Sequence, residues 1–190
     1  MSNLNWKENY QGALLEKLPY EPYIETYSGE KFYFLNPEPD MIHIEDIAHA
    51  LANQCRFTGH SSRFYSVAEH SIYVSNQCKN RMAGLLHDAS EAYLTDVASP
   101  VKPHLHNYKT LEDNLMKAIA TRFNFKYPFE EEVHIADKTQ LLIEAKYLIR
   151  SKGKDWINYD PELVSKGIKP ACWVPQLAEG YFLELFRSLK

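Results

Sequence analysis

The sequence predicts a mainly α-helical protein with a small β-hairpin near its N-terminus, and three observations carry that prediction. From Ile44 onward apolar residues recur at intervals of three and four almost without a break. Ahead of that point, two β-prone runs, Tyr23 to Tyr27 and Lys31 to Phe34, flank Ser28-Gly29. Breaks fall at turn chemistry: Thr58-Gly59, Ser99-Pro100, Pro103, Tyr127-Pro128 and "SKGKD" at Ser151 to Asp155.

The hairpin is closed by Pro37 and Pro39. The helical stretches follow as "IEDIAHALANQC", "SVAEHSIYVSNQC", "RMAGLLHDASEAYL", "NYKTLEDNLMKAIATRF", "EEEVHIADKTQLLIEAKYLI" and "PQLAEGYFLELFRSLK". A chain of 190 residues, 45% apolar and 13% aromatic, can build one core, so residues 1–190 are expected to form a single domain. Its helical core runs over about 44–150 and its C-terminal helix over 176–190. Between them, 151–175 contains the proline-spaced "NYDPELVSKGIKPACWVP", which reads as an irregular excursion or lid.

A net charge of −4 and a pI near 6.1, with no Lys/Arg cluster, argue against a nucleic-acid binder. "MSNLNWKENYQGALLEKLPYEP" has neither the basic start nor the apolar run of a signal peptide, and no stretch approaches the ~20 apolar residues of a membrane span. A cytoplasmic protein is expected. Cys55, Cys78 and Cys172 are odd in number and lack C-x-x-C spacing, which suggests reduced thiols and no disulfide or zinc framework.

Several polar residues stand on apolar faces. His70 shares a stripe with Val67, Val74 and Cys78; alone it reads more readily as a core histidine held by a carbonyl than as a ligand. Asp137 lies on the face of Leu141, Ala145 and Leu148, and a carboxylate is rarely buried unless paired or bound to a metal. Its bland alternative is a charge near a helix N-terminus. His87 and Asp88 sit together in "LLHDAS", and neighbours on a helix, about 100° apart, can both touch one object standing off its surface. Two imidazoles and two carboxylates suit Mn, Co, Fe, Ni or Zn, with positions left for water and a phosphate oxygen.

His70, then His87-Asp88, then Asp137, on successive helices, resembles the H…HD…D signature of the HD-domain metal-dependent phosphohydrolases. With "SVAEHS" and "LLHDASEAYLTDVASPVK" around it, the pattern is similar to the small HD nucleotidases, over about Ile44 to Leu148. The resemblance implies an HD helical bundle and an enzyme that hydrolyses phosphate from deoxynucleoside 5'-phosphates, with a divalent transition metal and additional Mg on the substrate phosphates. The sharper likeness is to phage enzymes that strip dATP to deoxyadenosine; the alternative is a 5'-deoxynucleotidase for monophosphates of several bases. It also implies a homo-oligomer whose partner is a small nucleotide, in the host cytoplasm if the gene is a phage's.

Glu91, four after His87 and three after Asp88, is placed to activate water; otherwise it is a solvated helix charge. The resemblance gives Glu91 and Asp96 catalytic or sugar-contacting roles and Lys102 a phosphate contact. Of two Arg-aromatic pairs, Arg56-Phe57 and Arg63-Phe64, the first matches the family's Arg-Trp pair, with Phe in place of Trp; both rings read as well as core residues. His104 and His106 follow no trusted spacing and are left as surface residues. A different class of reading keeps the helices and makes any metal a mere staple in a binding module. P-loop, nucleophile-elbow and dinucleotide-binding motifs are absent.

Overall fold

The computed structural model describes residues 21–156 and 159–190, and the leader reading of the first twenty residues lies outside them. Two short strands, β1 (Ile24–Glu25) and β2 (Lys31–Phe32), pair antiparallel with Ile24 opposite Phe32. Gly29, at φ +85, makes the turn between them possible. The Asp46 carboxylate takes hydrogen bonds from the Ser28 N–H (2.7 Å) and Oγ (2.9 Å), fastening the turn to the first helix, while Phe32 is buried against Tyr93.

The helices are α1 (Ile44–Asn53), α2 (Val67–Gln77), α3 (Arg81–Leu85), α4 (Glu91–Leu94), α5 (Tyr108–Phe123), α6 (Glu131–Leu148), α7 (Pro161–Lys166) and α8 (Pro175–Ser188). The fold is therefore mainly α with a small hairpin, as the periodicity requires. α2 is the central helix, touching α1, α3, α6 and α8. Eight of its eleven residues are buried. Ser66 caps it by accepting from the Glu69 N–H at 3.1 Å. Among the described residues no helix is long and apolar enough to cross a membrane.

Two stretches depart from the periodicity. "RMAGLLHDASEAYL" is not one helix: α3 ends at Leu85, residues 86–90 form tight turns, and α4 begins at Glu91. The turn bonds run three residues back, Ala89 N to Leu86 O and Glu91 N to Asp88 O. Within 151–175, α7 forms where irregular chain was expected, because Asp160 accepts from the N–H groups of Glu162 (2.9 Å) and Leu163 (3.2 Å) with proline at the first turn. At six residues it is too short for periodicity to reveal.

Candidate metal centre and cleft

Gly84 is the hinge on which the site turns. A Cβ there would lie 2.9 Å from the Ser75 Cα and 2.9 Å from the Cys78 Sγ, so the absent side chain lets α3 lie directly against α2. That approach brings the turn after α3 to the buried His70 of α2, and the two Nε2 atoms stand 3.3 Å apart. From α6, Asp137 Oδ1 reaches His70 Nε2 at 3.1 Å and His87 Nε2 at 3.8 Å. Asp88 Oδ2 lies 3.2 Å from His87 Nε2 and 3.7 Å from His70 Nε2. Asp137 is the seventh residue of α6, beyond the first turn where a helix dipole acts, so the charge-at-a-terminus alternative falls away.

Hydrogen bonds on the far sides of the rings fix what the near sides offer. His87 Nδ1 lies 2.8 Å from the Gly84 carbonyl oxygen, which can only accept, so that nitrogen carries a proton. His70 Nδ1 lies 2.6 Å from Glu144 Oε1. Burial acts to raise the Glu144 pKa, but His70 and Arg56 more than offset it and hold this carboxyl below its ordinary value, ionised and again an acceptor. Each neutral imidazole thus turns a bare Nε2 lone pair toward the other and toward two carboxylates. Four acceptors facing one another need a cation. For bonds of about 2.1 Å, neighbouring ligands sit about 3.0 Å apart around an octahedral ion and about 3.4 Å around a tetrahedral one. The observed separations of 3.1 to 3.8 Å begin just above the octahedral value and span the tetrahedral one. His70, His87 and Asp137 together can hold a metal ion. Asp88 adjoins two of the three.

Protons are the alternative occupant. Burial pushes both imidazoles down, yet the surrounding carboxylates more than reverse this, and His70 and His87 stand above their ordinary pKa. Burial likewise opposes the ionised forms of Asp88 and Asp137, and the histidines overcome it, holding both carboxyls well below the usual range.

Around this centre the remaining residues fall into two groups. Arg56 is buried, its Nη1 3.4 Å from Asp88 Oδ2 and its Nε 3.2 Å from Glu144 Oε2, the latter an ion pair out of line for a hydrogen bond. Glu91 is 4% exposed; burial first, then Asp88 and Asp96, raise its pKa well above the carboxylate range. Its Oε1 meets Lys102 Nζ at 3.3 Å, while its buried Oε2 has no partner among the described residues. Lys102 also meets Glu112 at 2.9 Å. Asp96 is half-buried with its pKa raised by burial, and Gln54 fastens it to α4 by accepting from the Asp96 N–H (3.0 Å) and donating to the Glu91 carbonyl (2.9 Å).

The second group stands apart. Phe57 is half-buried in the left-handed region at φ 57, 5.7 Å from the Arg56 guanidinium and 6.3 Å from the Trp156 ring, and Phe64 is exposed, so neither belongs to the core. Arg63, His104 and His106 are on the surface, and none of the hydrogen bonds or ion pairs among the described residues joins them to His70, His87, Asp88 or Asp137.

A cavity of about 540 Å³ opens from His87, Asp88 and Asp137. It runs between α5 and α6, past Met116 and the Tyr127-Pro128-Phe129 loop. The residue that sequence reading missed is Glu144. Seven positions after Asp137, on the same face and inside the apolar run "LLIEAKYL", its burial was the available signal.

No family model matches the chain. It is 34% identical over 169 residues, 88% of its length and 95% of the relative's, to YfdR of Escherichia coli (strain K12). It is 36% identical over 137 residues, 64% of its length and 70% of the relative's, to RCAP_rcc00048 of Rhodobacter capsulatus. Both relatives are named as uncharacterized proteins.

Proposed function

The chain belongs to the family of Escherichia coli YfdR, and from the geometry of the cage and the resemblance of its H…HD…D pattern we propose that it is a metal-dependent phosphohydrolase of the HD type, acting on deoxynucleoside 5'-phosphates with dATP as lead substrate. The observation that carries this reading is the acceptor-only cage of His70, His87, Asp88 and Asp137 at the mouth of a cavity large enough for a nucleotide. The dATP preference rests on the resemblance of "SVAEHS", "LLHDASEAYL" and "SPVK".

His70, His87, Asp88 and Asp137 would hold a divalent Mn, Co, Fe, Ni or Zn ion, which when bound would supply an acidified water and neutralise charge on the phosphoryl oxygens. The chain's own groups do the rest. Glu91, close to Asp88 in sequence and buried beside Lys102, takes the proton of the attacking water, whose oxygen forms the new P–O bond as the bond to the leaving oxygen breaks and that oxygen takes up a proton from solvent. Arg56 offers its guanidinium to the phosphoryl oxygens beside Asp88. Lys102 exchanges a carboxylate partner for phosphate, and Asp96 faces the sugar.

The test incubates purified protein with Mn, Co, Mg or Zn and a panel of dNMPs, dNDPs and dNTPs, resolving products by chromatography. Deoxyadenosine from dATP alone supports the lead. Turnover of every monophosphate with none of any triphosphate makes the protein a 5'-deoxynucleotidase. No turnover with any metal defeats both.

A further inference from the structure

Glu144 is fully buried on α6 among Ile143, Ala145 and Leu148, a setting that offers an ionised carboxylate nothing but cost unless its partners use it. Its Oε1 accepts from the Tyr65 hydroxyl at 2.8 Å and from His70 Nδ1 at 2.6 Å, while Oε2 meets Arg56 Nε at 3.2 Å. One carboxylate therefore touches a metal ligand and the cation beside another. We propose that Glu144 is a positioning residue of the metal centre, fixing which nitrogen His70 turns toward the ion and holding the Arg56 guanidinium against the ligand Asp88. This rests on reading the cage as a metal site.

The argument is one of donors and acceptors. An imidazole carries its single proton on either nitrogen, and only a partner on one side decides which. For His87 that partner is the Gly84 carbonyl; for His70, whose ring meets no backbone acceptor among the described residues, it is Glu144. Arg56 is caught in the same way. Asp88 holds one end of its guanidinium and Glu144 the other, so its plane is set before any anion arrives. A carboxylate serving only stability would not join these two groups, and partners of this kind elsewhere alter metal affinity about 10- to 100-fold.

The probe is cobalt(II) alone, with no nucleotide, read by calorimetry and by visible absorption of the bound ion. Glu144→Gln keeps size and an acceptor oxygen but loses the charge. It is expected to bind cobalt(II) about 10- to 100-fold more weakly with shifted absorption bands. Tyr65→Phe, which removes the third partner and leaves the ligand contact, is expected to bind as the parent does. If Glu144→Gln matches the parent in affinity and spectrum, or Tyr65→Phe falls as far as it does, the proposal fails. Should Glu144→Gln not fold, long-range proton–nitrogen NMR of the zinc-loaded parent decides. A proton on His70 Nδ1 supports the assignment, and metal on that nitrogen overturns it. Neither readout depends on hydrolysis, so this proposal and the phosphohydrolase reading can fail separately.

Discussion

Glu69 and His70 are neighbours on α2 and both fully buried, yet they do opposite things with burial. Glu69 faces donors only: its Oε1 accepts from the N–H groups of Ala171 (2.8 Å) and Cys172 (2.9 Å), and its Oε2 from Trp173 (2.7 Å). Three main-chain donors satisfy one carboxylate, and the segment before α8 is strapped to the central helix. His70 faces acceptors on both sides, Glu144 behind and Asp137 and His87 in front. A buried polar group whose partners complement it is finished as structure. One whose partners repeat its own kind is waiting for something with positive charge.

The largest effect expected from breaking this contrast is at the cage. Asp137→Ala or His87→Ala removes a ligand, and turnover should fall by about a thousandfold or more, since the several kcal/mol a metal supplies to the transition state goes with it. The sharper measurement is thermal. Metal at a hundred times its dissociation constant stabilises a protein by about 2.7 kcal/mol, so the parent's melting temperature should climb with added manganese or cobalt while the variants' stays flat. A metal-dependent rise that survives in Asp137→Ala would remove that residue from the centre.

Glu91→Gln comes next and separates proton transfer from metal binding. Removing a positioned base costs about 10²- to 10⁴-fold in rate, and here the metal-dependent melting shift should persist in full. A variant that loses the shift as well would show Glu91 to be part of the metal's support.

What the sequence revealed and what it hid divide along the same physical line. His70 and Asp137 were legible because a helical period of 3.6 puts them on apolar faces, where a polar side chain demands a reason. Glu69 and Glu144 occupy equally buried positions, but glutamate is a common helix former and neither has the rarity that draws notice to a histidine pair. The break between α3 and α4 could not be read locally. It follows from the packing of Gly84 on α2 and from His87 taking the Gly84 carbonyl, a bond that closes only once the turn has formed. The hairpin and long helices were legible for the opposite reason, since turn residues and amphipathic period are properties of the chain itself.

Glu69→Gln tests the structural half of the contrast with a smaller effect. An amide presents an N–H₂ where one oxygen had accepted, leaving a part-buried main-chain donor without its protein partner at a cost of at most about 1–3 kcal/mol. Thermal melting of the metal-free protein should drop accordingly, and the number of metal ions bound per chain should not change. Loss of stoichiometric metal binding would instead make the strap part of the site.

The smallest effect expected is in the pH dependence of stability, and its sign separates the two occupants of the cage. In metal-free protein the raised pKa of His70 and His87 means that folding favours their protonated forms. That contribution is fully present below the unfolded value of 6.5 and is lost as pH rises through the folded values. Asp88 and Asp137 contribute in the other direction: stability present above 3.8 and lost as pH falls through their depressed folded values. Metal-free protein should therefore be most stable between about pH 4 and 6.5 and soften above that. With saturating metal the order reverses, because the ion needs both Nε2 lone pairs bare and competes with the same protons, so its stabilisation should grow as pH rises past 6.5. Melting curves with and without metal across pH 5 to 8.5 should draw apart with increasing pH, and parallel curves would mean that the ion and the protons do not share the cage.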